Sequence, residues 1–291
     1  MSAAAARNTP RWVTALLLAA PALVFLLVFY VLPLGTMVGE SMHPWKGDGG
    51  DETVVSFEQY AKVAKGGRTV RAFERTVRIA LVATVVTFVI SYPIALLLLG
   101  AGRRLRTSLL MVIFISLASS LLVRNYGWLV TLSDTGPLNR LFIAFGLVSA
   151  PVRMVYSEGA IIVALVHYAM PFMILPVFAS LLRIPPSYAE AAQSLGAGPF
   201  RALAGIVLPL SMPGIFGGTL LTFAICMSAF VTPLMLGSPS TAMISQVAAE
   251  QFLVQLNFQF GSAVIVSLTV ATFAIVAVYT LLVRKVFRAQ V

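Results

Sequence analysis

No charged residue occurs between Ala202 and Ala249, and five other stretches of the chain are charge-free, or nearly so, over the length of a membrane crossing. An ionised side chain at the centre of a bilayer costs roughly 2.5 to 3.5 kcal/mol, so charges are driven to the ends of spans. Reading between the charges, and requiring about 20 apolar residues for about 30 Å of hydrocarbon, gives six expected transmembrane helices: residues 12–34, 79–100, 108–130, 160–182, about 214–236 and about 261–283. Arg124 is the one charge inside the third. The 202–249 stretch is too long for one crossing, and Pro209, Pro213, Pro233 and Pro239 are expected to confine its span to about 214–236. The composition agrees, with 59% apolar and 10% charged residues, where soluble domains carry about half and a quarter. The fold class expected is an all-α integral membrane protein.

Orientation follows from the charges that remain. The formal charge is +10. With the amino terminus in the cytoplasm, Arg7, Arg11, Arg103, Arg104, Arg106, Arg183, Arg201, Arg284, Lys285 and Arg288 fall inside, against Arg140 and Arg153 in short outer loops. This is the positive-inside bias. It assigns residues 1–11 and 284–291 to cytoplasmic tails, so that both termini are cytoplasmic, with one membrane domain over 12–283. Segment 35–78 is the exception: it is extracytoplasmic in this assignment and holds seven Lys and Arg with six acids. Within it residues 45–52 read as a turn-rich loop and 56–64 as a short helix capped by Ser56. The first apolar run continues a dozen residues past the small residues Ala19 to Ala22, and so reads as an uncleaved span. Basic residues divided among loops on two membrane faces cannot assemble a nucleic-acid groove; orientation and lipid headgroup contact account for them.

The chemistry expected of an enzyme is missing. The expected span interiors contain no Asp or Glu, His43 and His167 stand far apart, Cys226 is the single cysteine, and no G-x-x-x-x-G-K-S/T phosphate loop occurs. No catalytic residue and no metal site are expected. An ion-coupled secondary transporter or a lipid-modifying membrane enzyme normally places ionisable residues within its spans, and each is therefore a weaker reading.

Inner loop 183–212 has helical grammar of its own. Pro185 and Pro186 stop the fourth span, Ser187 and Glu190 have capping-box spacing, and Ala189, Ala191, Ala192 and Leu195 favour helix, with Gly196 and Gly198 as its exit. A second short helix is expected over 199–207, presenting Phe200, Leu203 and Ile206, and closed by Leu208 and Pro209. The loop thus reads Glu190-Ala191-Ala192, three residues, Gly196, nine residues, Ile206, one residue, Leu208-Pro209.

That spacing resembles the EAA loop of ABC importer permeases at every fixed position. Pro171 to Pro176, Ala179-Ser180-Leu181, Ile184-Pro185, Leu122 to Trp128, Ser91-Tyr92-Pro93 and Phe230-Val231-Thr232-Pro233 resemble the spermidine/putrescine-type branch, with coverage from about Phe57 to Val283. The chain departs from that branch in lacking a second glycine after Gly237, and in having Asn125 where Thr is frequent. The resemblance implies a type I ABC importer permease fold in a bacterial inner membrane. It also implies an ATPase dimer that binds ATP and Mg²⁺, a sister permease, an extracytoplasmic solute-binding protein and a small-molecule substrate, with no cofactor bound by this chain. The coupling role in that family belongs to the positions of Glu190, Ala191, Ala192, Gly196, Ile206, Leu208 and Pro209. The substrate implied is a polyamine; opines, phosphonates, ferric iron and thiamine are carried by relatives with the same loop.

A polyamine is held best by aromatic faces and carboxylates. Tyr126, Trp128, Phe230 and Glu250, near expected span ends, are candidates for the substrate path, as are His167 and Tyr168 in the fourth span. The aromatics equally fit an interfacial belt, and His167 a helix-to-helix hydrogen bond. Arg124 fits a structural or docking role better than contact with a cation.

Overall fold

The computed structural model describes residues 11–45, 47 and 54–288, and every regular element among them is helical. Arg7 and most of the amino-terminal tail, residues 46 and 48–52 of the expected turn-rich loop, and the last three residues lie outside the described residues. Helix α1 (Arg11–Leu26) runs through one π-turn (Leu27–Val31) into α2 (Leu32–Glu40), and α3 is Glu58–Lys65. The long α4 (Gly67–Gly100) is followed by α5 (Arg103–Ala118), α6 (Leu121–Leu132) and α7 (Pro137–Ala144), then by α8 (Glu158–Leu181) and α9 (Pro186–Ser194). α10 (Pro199–Ala202) continues through a second π-turn (Leu203–Val207) into α11 (Leu208–Met227), and α12 (Val231–Leu236), α13 (Ile244–Leu253) and α14 (Phe258–Arg288) complete the chain. The chain divides into two compact units, one holding the described residues up to Lys65 with Glu250–Ser267, the other Gly66–Ala249 with those from Leu268 onward.

Five helical stretches are long and apolar enough to span: Leu18–Glu40, Gly67–Gly100, Glu158–Leu181, Pro199–Met227 and Phe258–Lys285. The expected third span is not one helix. It breaks between α5 and α6 and bends by 100°, because Ser119 (ψ 139°) and Ser120 (ψ 136°) both leave helical backbone. The fifth is also redrawn. Instead of 214–236, the helix covers 199–227 and stops at Ser228, with residues 231–236 forming the separate α12.

The expected closure at Pro209 fails for a physical reason. A proline inside a helix loses one hydrogen bond, and its ring clashes with the carbonyl four residues back. Here the π-turn precedes it, and the Leu208 N–H reaches Leu203 O instead. The wider turn absorbs the misfit and the helix continues. The same device precedes Pro33, where Leu32 N–H reaches Leu27 O.

In the larger unit α4, α8 and α11 form the core. Ile79, Ala83, Ala95 and Leu98 on α4, Ile161, Leu165, Met173 and Leu181 on α8, and Cys226 and Met227 on α11 are buried. Lipid is as apolar as these side chains, so close van der Waals packing across small residues holds such helices together. A Cβ on Gly214 would lie 2.5 Å from Pro176 O, which measures how near the backbones of α8 and α11 approach. One end of this core carries a polar clasp. Glu158 pairs with Arg75 (3.0 Å) and Arg78 (2.7 Å), Arg75 also donates to Ala242 O at 3.0 Å, and Thr76 Oγ1 accepts the Ile244 N–H at 2.9 Å.

Candidate functional site

Helix α9 begins two residues earlier than its capping-box spacing implies, at Pro186 with Pro185 as its N-cap. Pro186 fits the first helical turn, where no intrahelical N–H is needed, and Pro185 is the residue before it, without a side-chain cap. Ser187 is therefore already inside the helix, and the expected Ser187–Glu190 box does not form. The exit follows the sequence. Gly196 adopts φ +86°, while the Leu195, Gly196 and Ala197 N–H groups donate to Ala191, Gln193 and Ala192 carbonyls at 3.1, 2.9 and 3.0 Å. Such a left-handed glycine satisfies the last carbonyls of a helix and turns the chain sharply.

Beyond this turn the loop joins the fifth span directly. Glu190 and Ala191 are exposed and Ala192 is half-buried on α9. Ile206 lies in the π-turn, and Leu208 and Pro209 open α11. Leu203, Val207 and Leu208 pack on the core cluster that contains Tyr92, Leu98 and Leu181. Leu195 and Phe200 stay 90% and 79% exposed. The arrangement is a short helix and a bare apolar rim, tied rigidly to the membrane core.

The second group lies around the broken third span. Arg124 is only 8% exposed. Its Nη2 donates to the carbonyls of Ser116 and, at 3.2 Å, of Ser119, which are left over at the end of α5, and to the Ser119 hydroxyl Oγ at 3.3 Å. Its guanidinium also sits 5.2 Å from the Tyr168 ring centroid. A cation at a helix C-terminus satisfies orphan carbonyls and the negative end of the dipole, so Arg124 braces the break. Replacing it with Met should remove about 1 to 3 kcal/mol of stability, read as a lower melting temperature of the purified protein. Lys should restore less than half, since it lacks the planar fork.

Next to this brace, Asn125 Nδ2 donates to Thr232 Oγ1 at 3.2 Å, joining α6 to α12. Trp128 Nε1 donates to His167 Nδ1 at 3.1 Å, so that nitrogen carries no proton. A cavity of about 260 Å³ is lined by Leu121, Leu165, Tyr168, Ser228, Phe230 and Thr232 among others. Of the six expected substrate-path residues, Tyr168 and Phe230 meet in this cavity, Trp128 and His167 pair with each other, and Tyr126 is exposed without lining it. Glu250 belongs to the other compact unit. Ser228 was not singled out by sequence, and Thr232 only as part of the Phe230-Val231-Thr232-Pro233 motif and not as a site residue; they enter because the fifth span ends at Ser228, a break no charge or proline marks. No cluster of three metal-ligating side chains occurs among the described residues.

Apolar helices of spanning length packed around α4, α8 and α11, with a bent helix pair and an interhelical cavity, define a polytopic membrane protein. The sequence model of the binding-protein-dependent transport system inner membrane component family matches residues 2–288, and the chain belongs to that family, the membrane permeases of ABC-type importers. It is 36% identical over 198 residues to the spermidine/putrescine transport system permease protein PotB of Haemophilus influenzae, covering 68% of this chain and 69% of that one. The corresponding protein of Escherichia coli is 31% identical over 204 residues, 70% of this chain and 74% of its own. Among solved structures, a bacterial ABC transporter that imports the acidic polysaccharide alginate shares the fold, with a TM-score of 0.78 and 17% identity over 94% of this chain and 96% of that one. The MetNI methionine ABC transporter also shares it, with a TM-score of 0.59 and 21% identity over 75% and 96%.

Proposed function

We propose that this permease is one half of the membrane pair in an ATP-driven importer that carries a polyamine of the spermidine/putrescine class, delivered by an extracytoplasmic binding protein. The observation that carries the solute is the similarity to PotB proteins over about two thirds of the chain. The other half of the pair is a sister permease, and both termini of this chain face the cytoplasm, as the positive-inside bias favours. A separate ATPase dimer binds ATP with Mg²⁺ and hydrolyses it. This chain contributes no catalytic group.

In this reading α9 is the coupling helix. Glu190, Ala191 and Ala192 meet a groove on the ATPase, Gly196 sets the angle at which the helix leaves, and Ile206, Leu208 and Pro209 pass its displacement into the fifth span. The exposed Leu195 and Phe200 supply apolar surface to cover on docking. Tyr168 and Phe230 line the path, where ring faces attract a cation with about 0.5 to 2 kcal/mol per contact. Trp128 and His167 stiffen its wall, while Tyr126 and Glu250 are further residues for contact with the solute.

The test reconstitutes the chain with its sister permease, ATPase and binding protein in sealed vesicles and follows labelled spermidine. Uptake should require both ATP and the binding protein. Calorimetry on the binding protein should place spermidine or putrescine well ahead of opines and aminoethylphosphonate. Tight binding of an anionic or zwitterionic solute instead would discard the polyamine, and uptake without ATP would discard the importer.

A further inference from the structure

A second cavity lies wholly within the smaller unit. It has a volume of about 480 Å³ and is lined by Glu40, Trp45, Leu256, Phe258 and Gln259. Glu40 is the last residue of α2, and Phe258 and Gln259 open α14. The segment after α2 is pinned in place: Ser41 Oγ bonds Tyr60 Oη of α3 at 2.6 Å, and the Ser56 N–H donates to Met42 O at 2.6 Å. Across the cavity, Asn257 Oδ1 accepts the Phe260 N–H at 2.9 Å and starts α14.

The groups so placed share one chemistry. Gln259 is buried, with 4% exposure, and its Nε2 donates to Glu40 Oε2 at 3.1 Å. The other carboxylate oxygen, Oε1, has no partner among the described residues. Trp45 lies against Gly47, where an added Cβ would come 2.6 Å from the indole. A carboxylate oriented by a buried amide, an indole and a phenyl ring in one cavity make a site for an organic cation, since ring faces and a carboxylate favour the same charge. The C-terminal end of α2 adds its own negative dipole end. A single carboxylate is a poor cage for Ca²⁺ or Mg²⁺, which take six or more oxygen ligands. Three donor hydrogens suit an ammonium to a carboxylate, an amide carbonyl and a ring face together.

We propose that this cavity binds a primary ammonium group. Two sources carry that group: a free amine such as a polyamine, and the ethanolamine headgroup of a lipid. The lipid source fits the neighbouring exposed apolar residues Leu253, Val254 and Leu256, which suit the edge of a bilayer. The inference goes beyond the importer reading and does not require it.

The test uses the full chain in nanodiscs. In phosphatidylcholine discs, calorimetry measures spermidine and butylamine binding, with tetramethylammonium as the comparator that cannot donate hydrogen bonds. In discs of mixed phosphatidylcholine and phosphatidylethanolamine, the lipid retained after delipidating washes is quantified. At least one source should bind the wild type, and Glu40→Gln, which keeps the shape and an acceptor for Gln259, should weaken it by about tenfold or more. Trp45→Leu should weaken it several-fold and serves alone if Glu40→Gln fails to fold. Retention of ethanolamine lipid only, or binding of free amine only, assigns the source. Tetramethylammonium binding as tightly as butylamine, equal binding by wild type and both variants, or no binding from either source overturns the proposal. Uptake is not the readout, so failure here leaves the importer reading standing, and failed ATP-driven uptake leaves this site standing.

Discussion

Gly214→Leu should prevent the larger unit from packing, whereas Gly217→Leu, three residues along the same helix, should be close to neutral. A Cβ at Gly214 meets Pro176 O and Ser180 Cβ at 2.5 Å and Val177 Cα at 3.0 Å; at Gly217 nothing lies within 4 Å. Two of the contacts at Gly214 are backbone atoms of α8 and cannot swing away, so α8 and α11 must separate. Overpacking costs about 1 to 3 kcal/mol for a few methylenes, and a leucine between two backbones should exceed that range. Gly218 is intermediate, because its nearest neighbour is the thioether of Met173 at 2.7 Å, which is able to move. Size-exclusion profiles and thermal melts of the three purified variants would rank them 214, 218, 217 in order of damage. Equal behaviour of 214 and 217 would mean that the helices do not approach as described.

Gly196→Val should leave insertion and melting temperature nearly unchanged and reduce ATP-driven uptake by tenfold or more. The site is open, with nothing within 4 Å of a new Cβ, so the cost is backbone strain alone. At φ +86° a side chain costs about 1 to 2 kcal/mol, more for a β-branched one. The loop escapes that strain by turning Gly196 to negative φ, which breaks the Ala197-to-Ala192 bond and re-aims α9 without disturbing the core. Gly198→Val is the control. Gly198 is also open but has φ −65° and ψ 160°, where valine is at ease. The comparison is uptake and ATPase rate in reconstituted vesicles; wild-type rates for Gly196→Val would remove the coupling role from this turn.

Charge placement located the first, second, fourth and sixth apolar helices well because ionisable residues bound them, as Glu158 and Arg183 bound the fourth span. It could not see interruptions that cost nothing in hydropathy. Ser119-Ser120 and Ser228-Ala229-Phe230 lie inside apolar surroundings, and the first break is held by Arg124, whose partners precede it by five and eight residues. Prolines misled in the other direction, since Pro209 and Pro213 read as boundaries and lie within a continuous helix. In the loop before the fifth span, the exit of α9 at Gly196 was legible because its grammar is local, whereas the start of α9 and the passage through Pro209 were not. Trp128 with His167, Asn125 with Thr232 and Glu40 with Gln259 were not, because those partners are 39, 107 and 219 residues apart and meet only through packing.

The second π-turn also sets the mechanics of the chain. By carrying the helix past Pro209 it makes residues 199–227 a single rod of 29 residues, roughly 44 Å long at about 1.5 Å per residue. Such a rod works as a lever: a tilt of about 10° around its middle moves each end by about 4 Å. One end carries Phe200, on the exposed apolar rim beside α9, and the other stops at Ser228, in the cavity wall beside Tyr168 and Phe230. The two ends are joined by unbroken helical backbone.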